Sequence, residues 1–451
     1  WESLASFPYL SYNVNIMFAF AQTLFFIITN PPQDTTYIFT ELTLFCNRFE
    51  VTNVKTAGII TEYNPLHYGH LALIQAVRQQ FGGDTAVICA MSGDFVQRGD
   101  FAIERAHARA EAAVRGGADL VLELPLPWAI SSAEGFARGA VGLLGSLGVV
   151  THLGFGSECG ELEPLQRVAE ALLDPLLGED LRAELQAGIP FAAARQQAVA
   201  RRVGALAELL QAPNNILAVE YLKAIYDQRL ELHPLTVLRT GAQHDRPAEG
   251  NVRSASELRT RIGAGENVSA FLPRAAAEIS AREKTLGRGP VLPEALESAI
   301  LSRLRMLPQT AYNALPGATE GLGNSLYRAA HEEPTLDGVL AAAKSKRYAL
   351  SRIRRMTMCA ALGVTAGMDA GTPPYARVLA IGAQGRELLR AIDMRASVPV
   401  ITKPAAGRSL PGPAGEIFAL TADAHDLYVL GCPAREERRC GGDWRASPFV
   451  L

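Results

Sequence analysis

The chain has 451 residues, which at roughly 150 per domain allows two or three domains and a sizeable core. Hydrophobic residues make up 48% and charged residues 20%, a composition that excludes a disordered chain. The formal net charge of −3 means that any nucleic-acid partner must be held by a local basic patch. The cysteines are scattered, with no CxxC pair, which fits free thiols in a reducing compartment and gives no structural zinc site.

Residues 1–53 carry no initiating Met and are richer in Phe, Tyr, Ile and Asn than the Ala-, Arg- and Leu-rich remainder. Their apolar run, 14–28, includes Asn15 and Gln22 and lacks a basic flank, so it is too short for a membrane span and poor as a signal peptide. They read as an N-terminal extension of doubtful relevance, with Val54 the expected start. No other stretch approaches a transmembrane length, so no membrane partner and a cytoplasmic location are expected.

From residue 56, apolar runs alternate with helical patterns. Residues 56–61, 85–91, 118–124, 148–155 and 234–238 read as strands, and 103–115 and 131–147 as helices, while Leu71, Ile74 and Val77 recur at helical spacing. Strands that are apolar throughout and separated by helices predict an α/β fold. The expectation is a Rossmann-like doubly wound parallel sheet with right-handed crossovers. Residues 161–231 read as a helical insertion broken at Pro190 and Pro213, inside a catalytic domain spanning 54–265. A mainly helical C-terminal domain is expected over 270–432, with short strands at 377–382, 399–404 and 426–430. Residues 433–451 read as a frayed tail.

The chemistry concentrates in 58–70, GIITEYNPLHYGH, which runs from the first strand into the first helix. Doubly wound sheets bind ligands beyond the carboxyl ends of their strands, and His67 and His70 fall there, at a helix N-terminus that already favours phosphate. Two imidazoles three residues apart add donors for charge that builds on an α-phosphate as pyrophosphate leaves. The competing readings are a metal pair, which lacks an evident third ligand, and a structural histidine pair. No GxxxxGK[ST] is present, and GFGSECG at 154–160 is a near miss to GxGxxG.

His67-Tyr68-Gly69-His70 resembles the HxGH signature of nucleotidylyltransferases, and RSASELR at 253–259 resembles their second motif. In that motif Ser254 and Ser256 would touch phosphate and Arg259 would face the β- and γ-phosphates. A helix N-cap is the plainer role for either serine. GIITEYNPLHYGHL, MSGDFVQRG (91–99), GADLVLELP (117–125), FGSE (155–158), PNNILAVEY (213–221) and KRYALSRIRRM (346–356) together resemble the tRNA(Met) cytidine acetate ligases, in order and spacing, from about residue 54 to 430. Leu66 and Tyr68 stand where that family usually has Phe and Asn.

The resemblance implies a ligase that uses ATP and acetate to make acetyl-adenylate, then acetylates N4 of the wobble cytidine of elongator tRNA(Met). Mg²⁺ is implied with the phosphates, and no direct metal ligand is assigned. The implied ATP loop is Ile60, Thr61, Glu62, Tyr63, Asn64, Pro65, Leu66, His67, Tyr68, Gly69, His70, Leu71, Ala72 and Leu73. Gly156, Asn214 (or Asn215) and Arg239 complete the nucleotide site, with His67, His70 and Arg239 as its catalytic groups. Ser92, Gln97 and Arg98 are candidates for the acetate or cytidine pocket, against a plain structural loop. Glu123, at the end of the third strand, is a better candidate than Asp119. Residues 341–360 hold six Lys or Arg and no acid. Lys346, Arg347, Arg352, Arg354 and Arg355 are the expected RNA contacts, with Tyr348 available to stack on a base. The plainer reading of that run is a solvated helix face. The alternative function is a nucleotidylyltransferase joining a nucleotide to a small phosphorylated cofactor precursor. A third reading is a binding protein without turnover, which the intact His67, Gly69 and His70 speak against.

Overall fold

β1 (Thr56–Thr61) pairs in parallel with β2 (Ala86–Ser92), and every residue of β2 is buried. Ala86, Ile88 and Ala90 enter one apolar cluster while Val87, Cys89 and Met91 enter another, so both faces of the sheet are covered and the strand reads as one unbroken apolar run. α1 (Tyr68–Phe81) joins β1 to β2. A hairpin of β3 (Phe95–Val96) and β4 (Asp100–Phe101) precedes α2 (Ala106–Arg115) and β5 (Leu120–Leu124). A short α3 (Leu126–Ala129) and α4 (Ala133–Ser146) carry the chain across to β6 (His152–Ser157). Glycines let the helices lie close: a Cβ on Gly58 of β1 would stand 2.7 Å from Leu144 of α4, and one on Gly154 of β6 would stand 2.6 Å from Val77 of α1.

The insertion follows as α5 (Leu162–Leu173), α6 (Leu177–Gln186), α7 (Phe191–Val203), a 3₁₀ turn (Gly204–Gln211) and α8 (Pro213–Asp227), before β7 (His233–Leu238). Pro190 precedes α7 and Pro213 opens α8, so the breaks fall where proline forbids a continuing helix. With two strands of the C-terminal half, β8 (Ala376–Ile381) and β10 (Phe449–Val450), the sheet order is β10-β8-β5-β2-β1-β6-β7. The chain steps outward from β1 through β2 to β5 and then restarts at β6 on the other flank of β1. This creates a switch-point crevice at the carboxyl ends of β1 and β6.

The C-terminal half contributes α9 (Ala255–Gly263), α10 (Arg274–Thr285), α11 (Pro293–Met306), α12 (Gln309–Asn313), α13 (Leu322–Glu332), α14 (Leu336–Ala343) and α15 (Leu350–Leu362). After these come β8 (Ala376–Ile381), α16 (Gly385–Arg395), β9 (Val400–Ile401), α17 (Pro413–Tyr428) and β10 (Phe449–Val450). The structure, a computed structural model, describes residues 55–239, 253–319, 321–345 and 348–451. The N-terminal extension and the candidate contacts Lys346 and Arg347 lie outside the described residues. Among those described, no helix is long and apolar enough to cross a membrane.

Three features of the C-terminal half differ from the sequence reading. β8 lies antiparallel against β5, so residues beyond 270 extend the same sheet, and Lys55–Leu451 form one unit. Residues 426–430 are not a strand but the end of α17 and a following 3₁₀ turn, because Ala414, Ile417, Phe418, Thr421, Ala424, His425 and Tyr428 are buried at helical spacing. Of 399–404, only Val400 and Ile401 pair as a strand.

The tail does not fray either. Phe449 and Val450 pair with Ala380 and Ile381. Asp443 receives both terminal nitrogens of Arg377, at 2.6 and 2.8 Å, while Arg377 Nη1 also donates to Glu123 Oε2 at 2.9 Å. The Arg377 side chain is 2% exposed. Truncating it would strand two buried carboxylates, so Arg377→Ala is expected to cost about 3–5 kcal/mol in urea denaturation.

Candidate active site

The strand β1 delivers a tight turn onto the sheet's carboxyl edge. Tyr63 there takes a positive φ of 48°, a conformation that costs a bulky residue energy and is retained only where the surroundings enforce it. The turn is tied on all sides. Glu62 Oε1 accepts the Gln97 main-chain N–H (2.9 Å), Asn64 Oδ1 accepts that of Ile103 (3.0 Å), and Asn64 O accepts Arg259 Nη1 (2.8 Å). Arg109, buried on α2, donates to the carbonyls of Glu62, Ser92, Gly93 and Glu104, and so joins the ends of β1 and β2.

His67 is the N-cap of α1. Its Nδ1 accepts the Gly69 N–H (3.1 Å), and the Nδ1 of His70 accepts the His67 N–H (3.2 Å), a reciprocal capping box made by two imidazoles. Because each Nδ1 accepts, each ring carries its proton on Nε2, so each presents a donor. The rings stack with centroids 3.8 Å apart, and the edge of Tyr63 meets His70 at 4.9 Å. Burial, with Arg239 and Arg259 nearby, pushes the His67 pKa from 6.5 down to about 4. Burial, with His67 and Arg239 adding to it, holds His70 well below the ordinary histidine range. Both rings are therefore neutral near pH 7.

The opposite wall is built by β6, β7 and α8. Arg239 leaves the end of β7, its N–H bonded to Ser157 O (2.9 Å) and its Nη1 to Asn214 Oδ1 (3.1 Å). Gly156 gives the Arg239 stem its room, since a Cβ there would stand 2.9 Å from Arg239 Cγ. Asn215 is buried and its Oδ1 accepts the Cys159 N–H (2.9 Å), which leaves Asn214 as the asparagine at the cleft. Arg259 Nη2 also donates to Ser256 Oγ (3.2 Å) within the second motif, and its bond to Asn64 O sets that motif against the first turn.

The expected residues divide into those at the cleft and those used elsewhere. His67, His70, Gly69, Gly156, Asn214, Arg239 and Arg259 converge. Leu66 is core, Leu71 and Leu73 pack against it, and Ala72 and Tyr68 are exposed. Ser254 caps α9 through the Glu257 N–H (3.2 Å), the plainer of its two readings. Ser92 is fully buried, Gln97 bonds the first turn through its main chain, and Arg98 is exposed at the hairpin. Arg354 is exposed on α15, whereas Arg352 donates to Gly317 O (2.6 Å) and Thr319 Oγ1 (2.7 Å), and Arg355 is half-buried. Gly99 packs on the main chain of Arg354 and Arg355, where no Cβ fits, and this sets the hairpin beside α15.

Glu123 and Asp119 are both spent on ion pairs, with Arg377 and Arg78 respectively. Asp94 and His425 form a buried pair at 2.6 Å that sequence reasoning did not find. Arg109 was also missed; its signal was an arginine on the inner face of an alanine-rich helix. Among the described residues, no group of three or more His, Cys, Asp or Glu is placed to hold a metal ion.

Between pH 6.5 and about 4 the unfolded chain binds a proton on residue 67 that the folded chain refuses, so this group's contribution to stability falls as pH drops through that window. A His67→Asn variant, whose amide can still cap α1, is expected to gain on the parent in thermal denaturation when the pH is lowered from about 7 to about 4.5.

A family model described as HIGH Nucleotidyl Transferase matches residues 54–442. The tRNA(Met) cytidine acetate ligase of Syntrophomonas wolfei is 36% identical over 87% of this chain and 98% of its own length. That of Acetivibrio thermocellus is 34% identical over 88% of this chain and 100% of its own length. The crystal structure of apo Thermotoga maritima TmcAL superimposes with a TM-score of 0.83 at 33% identity, covering 88% of this chain and all of that one. The same protein bound with alpha-thio ATP gives 0.82 at 32% identity, with the same coverage.

Proposed function

The chain belongs to the HIGH nucleotidyl transferases and, among them, to the tRNA(Met) cytidine acetate ligases. From that membership we propose that it activates acetate with ATP as acetyl-adenylate and transfers the acetyl group to N4 of the wobble cytidine of elongator tRNA(Met). The observation that carries the reading is the pair of neutral, Nε2-donating imidazoles at the start of α1, with Arg239 and Arg259 beside them, at the crevice where a doubly wound sheet takes its ligand.

An acetate oxygen attacks the α-phosphorus, the bond to the bridging oxygen breaks, and pyrophosphate leaves with the electron pair. The amine of cytidine then attacks the acetyl carbon, AMP leaves, and one proton is lost from nitrogen. The first step needs no protein nucleophile, so the protein contributes position and charge stabilisation. The Nε2–H groups of His67 and His70 serve the α-phosphate, and Arg239 and Arg259 serve the outgoing phosphates. Mg²⁺ bound to ATP would neutralise the phosphates. It would be held by them, because Glu62 and Glu158 at the cleft already accept main-chain N–H groups.

RNA would lie where the hairpin meets α15 through Gly99, with Arg98 and Arg354, both exposed, as its contacts and residues 270–432 as the tRNA-binding part. Such contacts fix register and affinity. A cytoplasmic location follows from that substrate.

The test is ATP turnover with acetate, with and without elongator tRNA(Met), read with mass spectrometry of the nucleosides. Acetate-dependent AMP plus N4-acetylcytidine is expected; a stable dinucleotide instead would indicate a small-molecule nucleotidylyltransferase. His70→Ala is expected to slow pyrophosphate release by about 10²–10³-fold with little change in RNA affinity. Arg354→Ala should do the reverse, weakening RNA binding and lowering its salt slope by about one. Gly156→Ala, which crowds the Arg239 stem, should weaken ATP binding about tenfold in calorimetry.

A further inference from the structure

We propose that Glu158 is a positioning residue for the nucleotide: it locks the Asn214 amide in one orientation and through it aims Arg239 at the histidine pair. The inference rests on the ATP reading above. Glu158 follows β6 directly, and its carboxylate lies on the N-terminus of α8. Oε1 accepts both the Asn214 N–H (3.1 Å) and Asn214 Nδ2 (2.6 Å), and Oε2 accepts the Asn215 N–H (2.7 Å). The two main-chain bonds are what any acid at a helix start would make. The side-chain bond goes further. A carboxylate can only accept, so it forces the NH₂ of Asn214 toward itself and the carbonyl oxygen away. That oxygen is the one that receives Arg239 Nη1 at 3.1 Å.

Among the described residues, Asn214 is the hydrogen-bond partner of the Arg239 head. Gly156 leaves its stem free of a neighbouring Cβ, and its main chain is set by the bond to Ser157 O. The guanidinium is close enough to His67 and His70 to depress the protonation of both rings. A rotated Asn214 amide would present NH₂ to the guanidinium, donor against donor, and release Arg239 from the cleft.

The experiment measures ATP affinity by calorimetry, without acetate or RNA, for the full chain and for Glu158→Gln, Glu158→Ala, Arg239→Ala and the Glu158→Ala/Arg239→Ala double variant, alongside denaturation midpoints. Glu158→Gln keeps the size of the side chain, so it remains informative if Glu158→Ala does not fold. The expected result is a loss of about tenfold for Glu158→Gln or Glu158→Ala that disappears when Arg239 is already alanine, because the two residues act through one contact. Unchanged ATP affinity, or losses that add in the double variant whatever the denaturation midpoints do, would overturn the proposal and leave the ligase reading intact. Failure of the parent chain to bind ATP would overturn both.

Discussion

The carboxyl edge of the sheet depends on a buried guanidinium whose hydrogen bonds go to main-chain oxygens. Arg109 draws together the carbonyls of Glu62, Ser92, Gly93 and Glu104, which belong to the ends of β1 and β2 and to the start of α2. Carbonyl ends of parallel strands converge at this edge, and four oxygens turned to one point need a donor set of matching reach. The planar fork of arginine supplies it where lysine would offer a single point charge. The burial that this arrangement demands lowers the affinity of Arg109 for its own proton. With that clamp set, the first turn can hold Tyr63 in its strained conformation with its ring edge against His70.

The C-terminal half completes this edge. Phe95 and Phe101 of the hairpin are buried in the same apolar cluster as α11, α13 and α15. The hairpin also bonds Glu62 through Gln97 and seats Gly99 on α15. One short segment thus touches the nucleotide turn on one side and the basic helix on the other. His425 of α17 and Arg377 of β8 close the far flank on Asp94 and Glu123.

The alternation of strands and helices, the proline breaks of the insertion and the histidine turn were all legible in the sequence, because each rests on local spacing. What was not legible rests on distance along the chain. Asp94 meets His425 across 331 positions and Glu123 meets Arg377 across 254, so neither side of either pair carries a local sign of the other. The tail looked frayed for the same reason: its charged, glycine-containing run conceals Asp443, whose value lies in a strand that pairs with β5. The C-terminal apolar stretch at 426–430 misled because a short run suits a strand or a buried helix equally, and only the preceding buried positions of α17 decide. Ser254 fitted two roles by composition, and geometry chose the cap.

The reciprocal cap of His67 and His70 also bears on which nucleophile can react. With both Nδ1 atoms occupied by main-chain N–H groups, neither imidazole has a lone pair to spare. Water or an alcohol entering this corner would need a proton removed before it could attack, and these rings can only offer one. A carboxylate arrives already ionised and needs no such help. On the proposed function, the way the first helix is capped would guard the activated phosphate against wasteful hydrolysis, one local folding motif discriminating between reactants by their state of ionisation.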